Sequence, residues 1–104
     1  SGAISNIHIC RENNLGKTVE LAKKSGLTII ACSEKGLNNI NETNLNKPIL
    51  IIIGSEKNGI SKKLLELSHE YVKIPTCGKT KSLNASVAAG IILFEYTRQK
   101  NNAN

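Results

Sequence analysis

The sequence predicts an α/β domain built on a mostly parallel sheet with flanking helices. Three observations predict it. Two short runs, Leu27–Cys32 and Ile49–Ile53, are apolar and rich in β-branched residues without alternation, the mark of strands buried on both faces. Other stretches carry apolar residues at helical spacing, such as Leu15, Val19 and Ala22. Strand-type and helix-type segments alternate along the chain, which favours crossover connections between parallel strands.

Taken in order, Ile4, Ile7 and Ile9 lie in a short segment that reads as a strand. Asn13 or Asn14 can cap a helix running to about Lys24, and Gly26 stops it. The strand Leu27–Cys32 follows. Residues 34–46 are polar and rich in Asn, and read as a loop. Pro48 opens the strand Ile49–Ile53, and residues 54–59, Gly-Ser-Glu-Lys-Asn-Gly, form a tight loop. A helix over 61–69 turns Leu64, Leu65 and Leu67 inward, and Tyr71–Ile74 is a further strand stopped by Pro75. After a basic, glycine-containing loop over 76–81, the last helix begins near Ser82. Asn84 or Ser82 can cap it. Val87, Ile91 and Phe94 recur at helical spacing, with Ala88, Ile92 and Leu93 widening the stripe. Ala88, Ala89 and Gly90 leave one side nearly bare, so another backbone can come close.

The totals narrow the function. A chain of 104 residues makes one small domain with a modest core. Its net charge of +6 suits a polyanionic partner. One Phe, two Tyr and no Trp argue against a base-stacking platform of the single-strand-binding type. The cysteines Cys10, Cys32 and Cys77 form no CxxC pair, so neither a metal site nor a disulfide framework is indicated. Free thiols fit a reducing cytoplasm, the expected location. No apolar run approaches membrane-spanning length, so no membrane partner is expected.

Parallel sheets bind ligands beyond the carboxyl ends of their strands. Three connections occupy that place: the one after Cys32, the Gly54 loop, and the loop over 75–81. The Gly54 loop lacks the glycine spacing of a dinucleotide turn, because Glu56 stands where GxGxxG needs glycine. It also lacks the Gly-Lys-Ser/Thr ending of a Walker loop, since Ile60 follows Gly59. A carboxylate there opposes a phosphate and tolerates a positive centre, such as a sulfonium.

Three pieces stand in order: residues 48–61, Pro-Ile-Leu-Ile-Ile-Ile-Gly-Ser-Glu-Lys-Asn-Gly-Ile-Ser; residues 74–78, Ile-Pro-Thr-Cys-Gly; and residues 82–90, Ser-Leu-Asn-Ala-Ser-Val-Ala-Ala-Gly. Together they closely resemble the second and third motifs of the SpoU/TrmH family, knotted α/β RNA 2′-O-ribose methyltransferases that use S-adenosylmethionine. The segment from Ser1 to Cys32 also resembles the family's intervening stretch, so the likeness covers nearly the whole chain. It implies a deep trefoil knot near the C-terminus. It implies a cofactor site made by Cys32, Gly54, Ile74, Thr76, Ser82, Leu83 and Asn84, with Ile74 and Thr76 offering backbone groups to the adenine and Leu83 packing on it. Glu56 and Asn84 match polar active-site residues of the family; the plainer roles are a solvated loop carboxylate and a helix cap. The partners implied are RNA, either rRNA or tRNA, and a second copy of the chain, packed through the C-terminal helix. No metal is expected.

Two departures accompany the likeness. Thr76 stands where the family often has Met. More seriously, no stretch of these residues matches the family's first motif, an Asn…Gly…Arg segment that supplies the arginine proposed to activate the ribose hydroxyl. Arg11 and Arg98 are not at matching positions. The expectation is therefore a single domain over 1–104 lacking its N-terminal strands and first motif, and inactive by itself. The alternative is a non-catalytic basic RNA-binding or assembly module on the same scaffold. Lys57, Lys62, Lys63, Lys79 and Lys81 flank the two ligand loops and are the expected RNA contacts.

Overall fold

The computed structural model describes residues 7–11, 15–54, 59–75 and 84–103. Five strands form one sheet: β1 (Ile7–Arg11), β2 (Thr28–Cys32), β3 (Asn38–Asn39), β4 (Ile49–Ile53) and β5 (Glu70–Lys73). Their order across the sheet is β1-β4-β2-β5-β3, and every recorded pairing is parallel. The predicted mostly parallel sheet with flanking helices is what the chain adopts.

β4 lies inside the sheet between β1 and β2, and all five of its residues are buried. Period-two alternation divides them between two layers. Ile49, Ile51 and Ile53 face the last helix, α3 (Ala85–Asn102), together with Ile7, Ile30 and Val72. Leu50 and Ile52 face α1 (Gly16–Lys24) and α2 (Lys62–Leu67), where Ile29, Val19 and Leu64 complete a second cluster. α1 and α2 thus cover one face of the sheet and α3 the other. α1 ends at Gly26, whose φ of 94° is the left-handed stop its sequence implied. Its start differs from expectation: Leu15 occupies the cap position without a side-chain bond, while Asn13 and Asn14 lie outside the described residues.

The segment read as a loop over 34–46 contains more structure than its composition suggests. Asn38–Asn39 add an edge strand to β5, and Ile40–Glu42 form a short 3-10 turn. The pairing uses backbone groups only, so Asn's poor strand propensity does not prevent it. Ile40 and Leu45 pin this segment into the α3-side core.

α3 turns one of its two apolar rows to the sheet. Its buried row is Ala85, Ala88, Ile92 and Tyr96, while Val87, Leu93 and Phe94 are exposed, Phe94 by 73%. Two apolar rows wrap this helix, and periodicity alone cannot say which one faces the sheet. Small residues at 85 and 88 let the helix start lie close to the strands, which decides it. Gly90 points into open space rather than into a packed core. One polar clamp fastens the far end of α3. The Gln99 side chain accepts from the Leu45 N–H at 2.7 Å and donates to the Thr43 carbonyl at 2.8 Å and to Glu95 at 2.7 Å. Glu95, 6% exposed, also accepts a two-pronged bond from Arg98. Arg98 is thereby committed to structure at the end of the domain opposite the ligand loops. The path of residues 76–83, on which the implied knot depends, lies outside the described residues.

Candidate functional site

The carboxyl ends of β4, β2 and β5 stand side by side. Register places Cys32 between Ile53 and Val72. Gly54 follows Ile53 directly, and Ile74 lies two residues beyond Val72. The connection leaving β4 runs into α2 on one face, and the one leaving β5 runs into α3 on the other. Where neighbouring connections depart to opposite faces, a crevice opens above the strand ends. In this sheet β2 lies between the two strands concerned, so its last residue, Cys32, marks the expected position.

The walls of the crevice follow from strand parity. Cys32, Ile53 and Ile74 all pack toward the α3 side. They present an apolar surface of the kind that suits a flat heterocycle. Burial pushes the Cys32 thiol up to about 11, so it is a neutral wall and not a nucleophile. Burial raises Cys10 as well. Asn84 caps α3 at the same edge, its side-chain oxygen accepting from the Ser86 N–H at 2.7 Å. The cap expected of Asn84 is therefore real, and it holds an exposed amide side chain beside the crevice. Among the described residues, no three side chains of metal-binding type cluster.

Gly54 shows why its position needs glycine. A Cβ there would lie 2.5 Å from the Gly59 carbonyl carbon and 2.7 Å from the Ile60 nitrogen. The two ends of the 54–59 loop thus touch backbone to backbone. Gly36, which sequence reasoning passed over as loop, behaves similarly: a Cβ would run into the Val72 carbonyl group and the Lys73 nitrogen. The turn over 33–36 presses on the end of β5, with the Ser33 N–H donating to the Val72 carbonyl at 2.8 Å. The only sequence signal for it was a lone glycine just after a buried strand.

Of the residues singled out from sequence, Cys32, Gly54, Ile74 and Asn84 gather at this one edge. Glu56, Thr76, Ser82 and Leu83 lie outside the described residues, as do Lys57, Lys79 and Lys81. Lys62 and Lys63 are exposed at the start of α2, on the same edge. His8 and His69 are exposed and away from it; His69 Nδ1 accepts from the Ile29 N–H at 2.9 Å, at the opposite end of β2.

Comparison with known proteins places this arrangement. The model of the SpoU rRNA Methylase family matches residues 1–94. The chain belongs to that family. A Bacillus subtilis protein named as a TrmH-family tRNA/rRNA methyltransferase, YacO, is 35% identical over 101 residues, which are 97% of this chain and 41% of YacO. The crystal structure of the TrmH/SpoU tRNA-modifying enzyme of A. aeolicus superposes with a TM-score of 0.78 at 32% identity, covering 88% of this chain and 47% of that one. An RNA 2′-O-ribose methyltransferase structure gives 0.75 at 32% identity, over 81% of this chain and 33% of that one. The SpoU methyltransferase AviRb from Streptomyces viridochromogenes, in complex with AdoMet, gives 0.73 at 32% identity, over 86% and 36%. The chain thus spans less than half the length of each of these relatives. The AdoMet complex of AviRb shows a SpoU relative with that cofactor bound.

Proposed function

We propose that this chain is the S-adenosylmethionine-binding part of an RNA 2′-O-ribose methyltransferase acting on rRNA or tRNA. The observation that carries the reading is the strand-end edge around Cys32, where an apolar surface, the backbone approach of Gly54 to Gly59 and the Asn84 cap converge. In this reading Cys32, Ile74 and Leu83 flank the adenine, and backbone groups of Gly54, Ile74 and Thr76 hold the nucleoside. Ser82 and Asn84 steady the methionine end or the incoming ribose, and Glu56 orients the polar reactants. The cofactor supplies an electrophilic methyl on a sulfonium. The transfer breaks that carbon–sulfur bond, forms a bond to the ribose oxygen, and requires the hydroxyl proton to leave to a base. Glu56 is the one acid within the matched motifs. Alignment of the two reactants is the main task left to the protein.

The same reading includes a cytoplasmic enzyme, a trefoil-knotted path through residues 76–83, and a homodimer. Supporting the dimer, Val87, Gly90, Leu93 and Phe94 form an exposed, largely apolar surface on α3. No group among Glu56, Asn84 and Ser82 strongly activates a neutral hydroxyl, and losing an activator costs roughly 10²–10⁴-fold in rate. The catalytic domain as a single unit over 1–104 is thus proposed to need an Asn…Gly…Arg segment beyond these residues. The test pairs calorimetric binding of S-adenosylmethionine with tritiated methyl incorporation into unmodified rRNA and tRNA, with and without such a segment joined upstream. Binding in the micromolar range or weaker, with incorporation only by the extended chain, is the expected result. Binding to a folded chain that is absent at millimolar cofactor overturns it. Cofactor binding with incorporation by neither protein favours the non-catalytic RNA-binding or assembly module.

A further inference from the structure

Gly36 is buried in a turn whose other residues Glu34, Lys35 and Leu37 are all exposed. β5 lies between β2 and β3, and Val72 pairs with Cys32 on one side and with Asn38 on the other. Residues 33–37 therefore cross from one side of Val72 to the other, over the end of β5. The crossing is tied down. The Ser33 N–H donates to the Val72 carbonyl at 2.8 Å, and the Gly36 N–H donates to the Ser33 carbonyl at 2.9 Å. The Lys35 N–H donates to the Ser33 hydroxyl oxygen at 3.2 Å. A Cβ on Gly36 would run into the carbonyl group of Val72 and the nitrogen of Lys73, which belong to one peptide group. Gly26 and Gly59 are the positive-φ glycines among the described residues, and Gly36 is not one of them. Close approach to that peptide, and not backbone freedom, is what asks for glycine here. Ile74 and Pro75 follow Lys73 directly. Proline fixes its own φ and holds the residue before it extended. A shift at the peptide between Val72 and Lys73 thus passes to Ile74 with little to absorb it.

We infer that Gly36 is a positioning residue for adenine recognition: by seating the 33–37 turn on the peptide between Val72 and Lys73, it sets where the Ile74 backbone stands against the base edge. This rests on the cofactor reading above and adds to it what makes the segment after β5 selective for one purine. Adenine offers an amino donor beside an acceptor nitrogen, and hypoxanthine offers the reverse. Backbone groups held in place tell the two apart, and the same groups displaced do not. Gly36 acts through the end of β5 and not by touching the base.

The test compares the whole chain, Gly36→Ala, and a control, Gly26→Ala, in which a φ of 94° strains alanine just before the opposite end of β2. Calorimetric titration follows S-adenosylhomocysteine and S-inosylhomocysteine, which differ in the base alone, and scanning calorimetry gives each Tm. The parent should prefer the adenine compound by roughly tenfold or more, the scale of a mispaired hydrogen bond. Gly36→Ala should bind that compound about tenfold more weakly and keep a preference of less than about threefold. Gly26→Ala should melt lower and keep the parent's preference, as Gly36→Ala would if its role were merely structural. Ser33→Ala removes the acceptor of the Lys35 N–H without adding atoms, and it decides the matter if Gly36→Ala does not fold. Its preference should fall by roughly twofold or more. An unchanged preference in the folded Gly36→Ala chain, or in Ser33→Ala where that chain fails to fold, overturns the inference and leaves the cofactor reading standing. So does a parent that binds both compounds equally. A folded parent that binds neither at millimolar concentration removes the cofactor reading, and the inference with it.

Discussion

Replacing Gly54 with alanine tests whether the closed loop builds the crevice. The added Cβ would lie 2.5, 2.7 and 2.9 Å from three atoms of residues 59 and 60, all of them backbone. Ordinary contact begins near 3.4 Å, so the nearest atom must retreat by about 0.9 Å. No flexible side chain is there to absorb the shift, and the strand before Gly54 is buried along its whole length. The loop exit must therefore move. Overpacking of this kind costs about 1–3 kcal/mol. For a domain of this size that corresponds to a fall in Tm of roughly 5–20 °C. Because Gly54 lies at the proposed cofactor site, the displacement should also weaken S-adenosylmethionine binding at least tenfold, about 1.4 kcal/mol. Scanning calorimetry gives the first quantity and isothermal titration the second. A Gly54→Ala variant that melts within about 2 °C of the parent and binds within twofold would refute the argument. The loop ends would then not be in contact, and the need for glycine would have to come from the ligand.

Four further outcomes follow from the same structure. Gln99→Ala leaves the buried Leu45 N–H without an acceptor and should cost about 2–4 kcal/mol in urea unfolding. Its neighbour Glu95 is held below the ordinary glutamate value of 4.5, first by its bond to Arg98. A lowered carboxyl stabilises the fold above its unfolded pKa and loses that effect as pH falls through the folded one. The urea midpoint should therefore drop below about pH 4.5, and Glu95→Gln should flatten that drop. The Cys10 and Cys32 thiols, raised by burial, should alkylate at pH 8 far more slowly in the folded chain than in urea, as read by peptide mass mapping. Gly90→Leu should leave the monomer's unfolding midpoint unchanged or raised, because a Cβ there meets nothing within 4 Å. It should nonetheless reduce self-association in light scattering; an unchanged dimer would place the two-fold contact elsewhere.

Much of the frame was legible in the sequence where side chains alone decide it. The run Ile49–Ile53 has no polar side to offer, so it could only be a strand buried on both faces, and its observed bounds agree residue for residue. Asn84 reads as a cap because its short amide reaches the N–H groups that a helix start leaves open. What escaped was set by partners distant in the chain. β3 exists because the β5 backbone offers it a free edge, and nothing in Asn38–Asn39 announces that. Which apolar row of α3 faces inward was left open, because Val87, Ile91 and Phe94 are as apolar as the row that is buried. Close approach to the sheet, which only the assembled fold defines, selects Ala85 and Ala88. The site was legible as a set of strand ends; the registers that bring Cys32 between Ile53 and Val72 were not.

The location of the crevice also explains how so small a domain supports it. A loop whose first residue presses on its own exit contributes little stability, and a neutral thiol and an exposed amide add little more. These parts keep their places because the strands beneath them carry the core: Ile29, Ile30, Ala31, Ile49, Ile51 and Ile52 are fully buried. β4 joins both helix layers through alternate residues, so movement at its end would disturb both clusters at once. Fixing α3 at its far end through Gln99 and Thr43 serves the same purpose from the other side. The helix is 18 residues long, roughly 27 Å, and its cap is held at the crevice while its clamp is held at the opposite edge. With both ends tied, the outward apolar row of Val87, Leu93 and Phe94 can take a partner without shifting the cap.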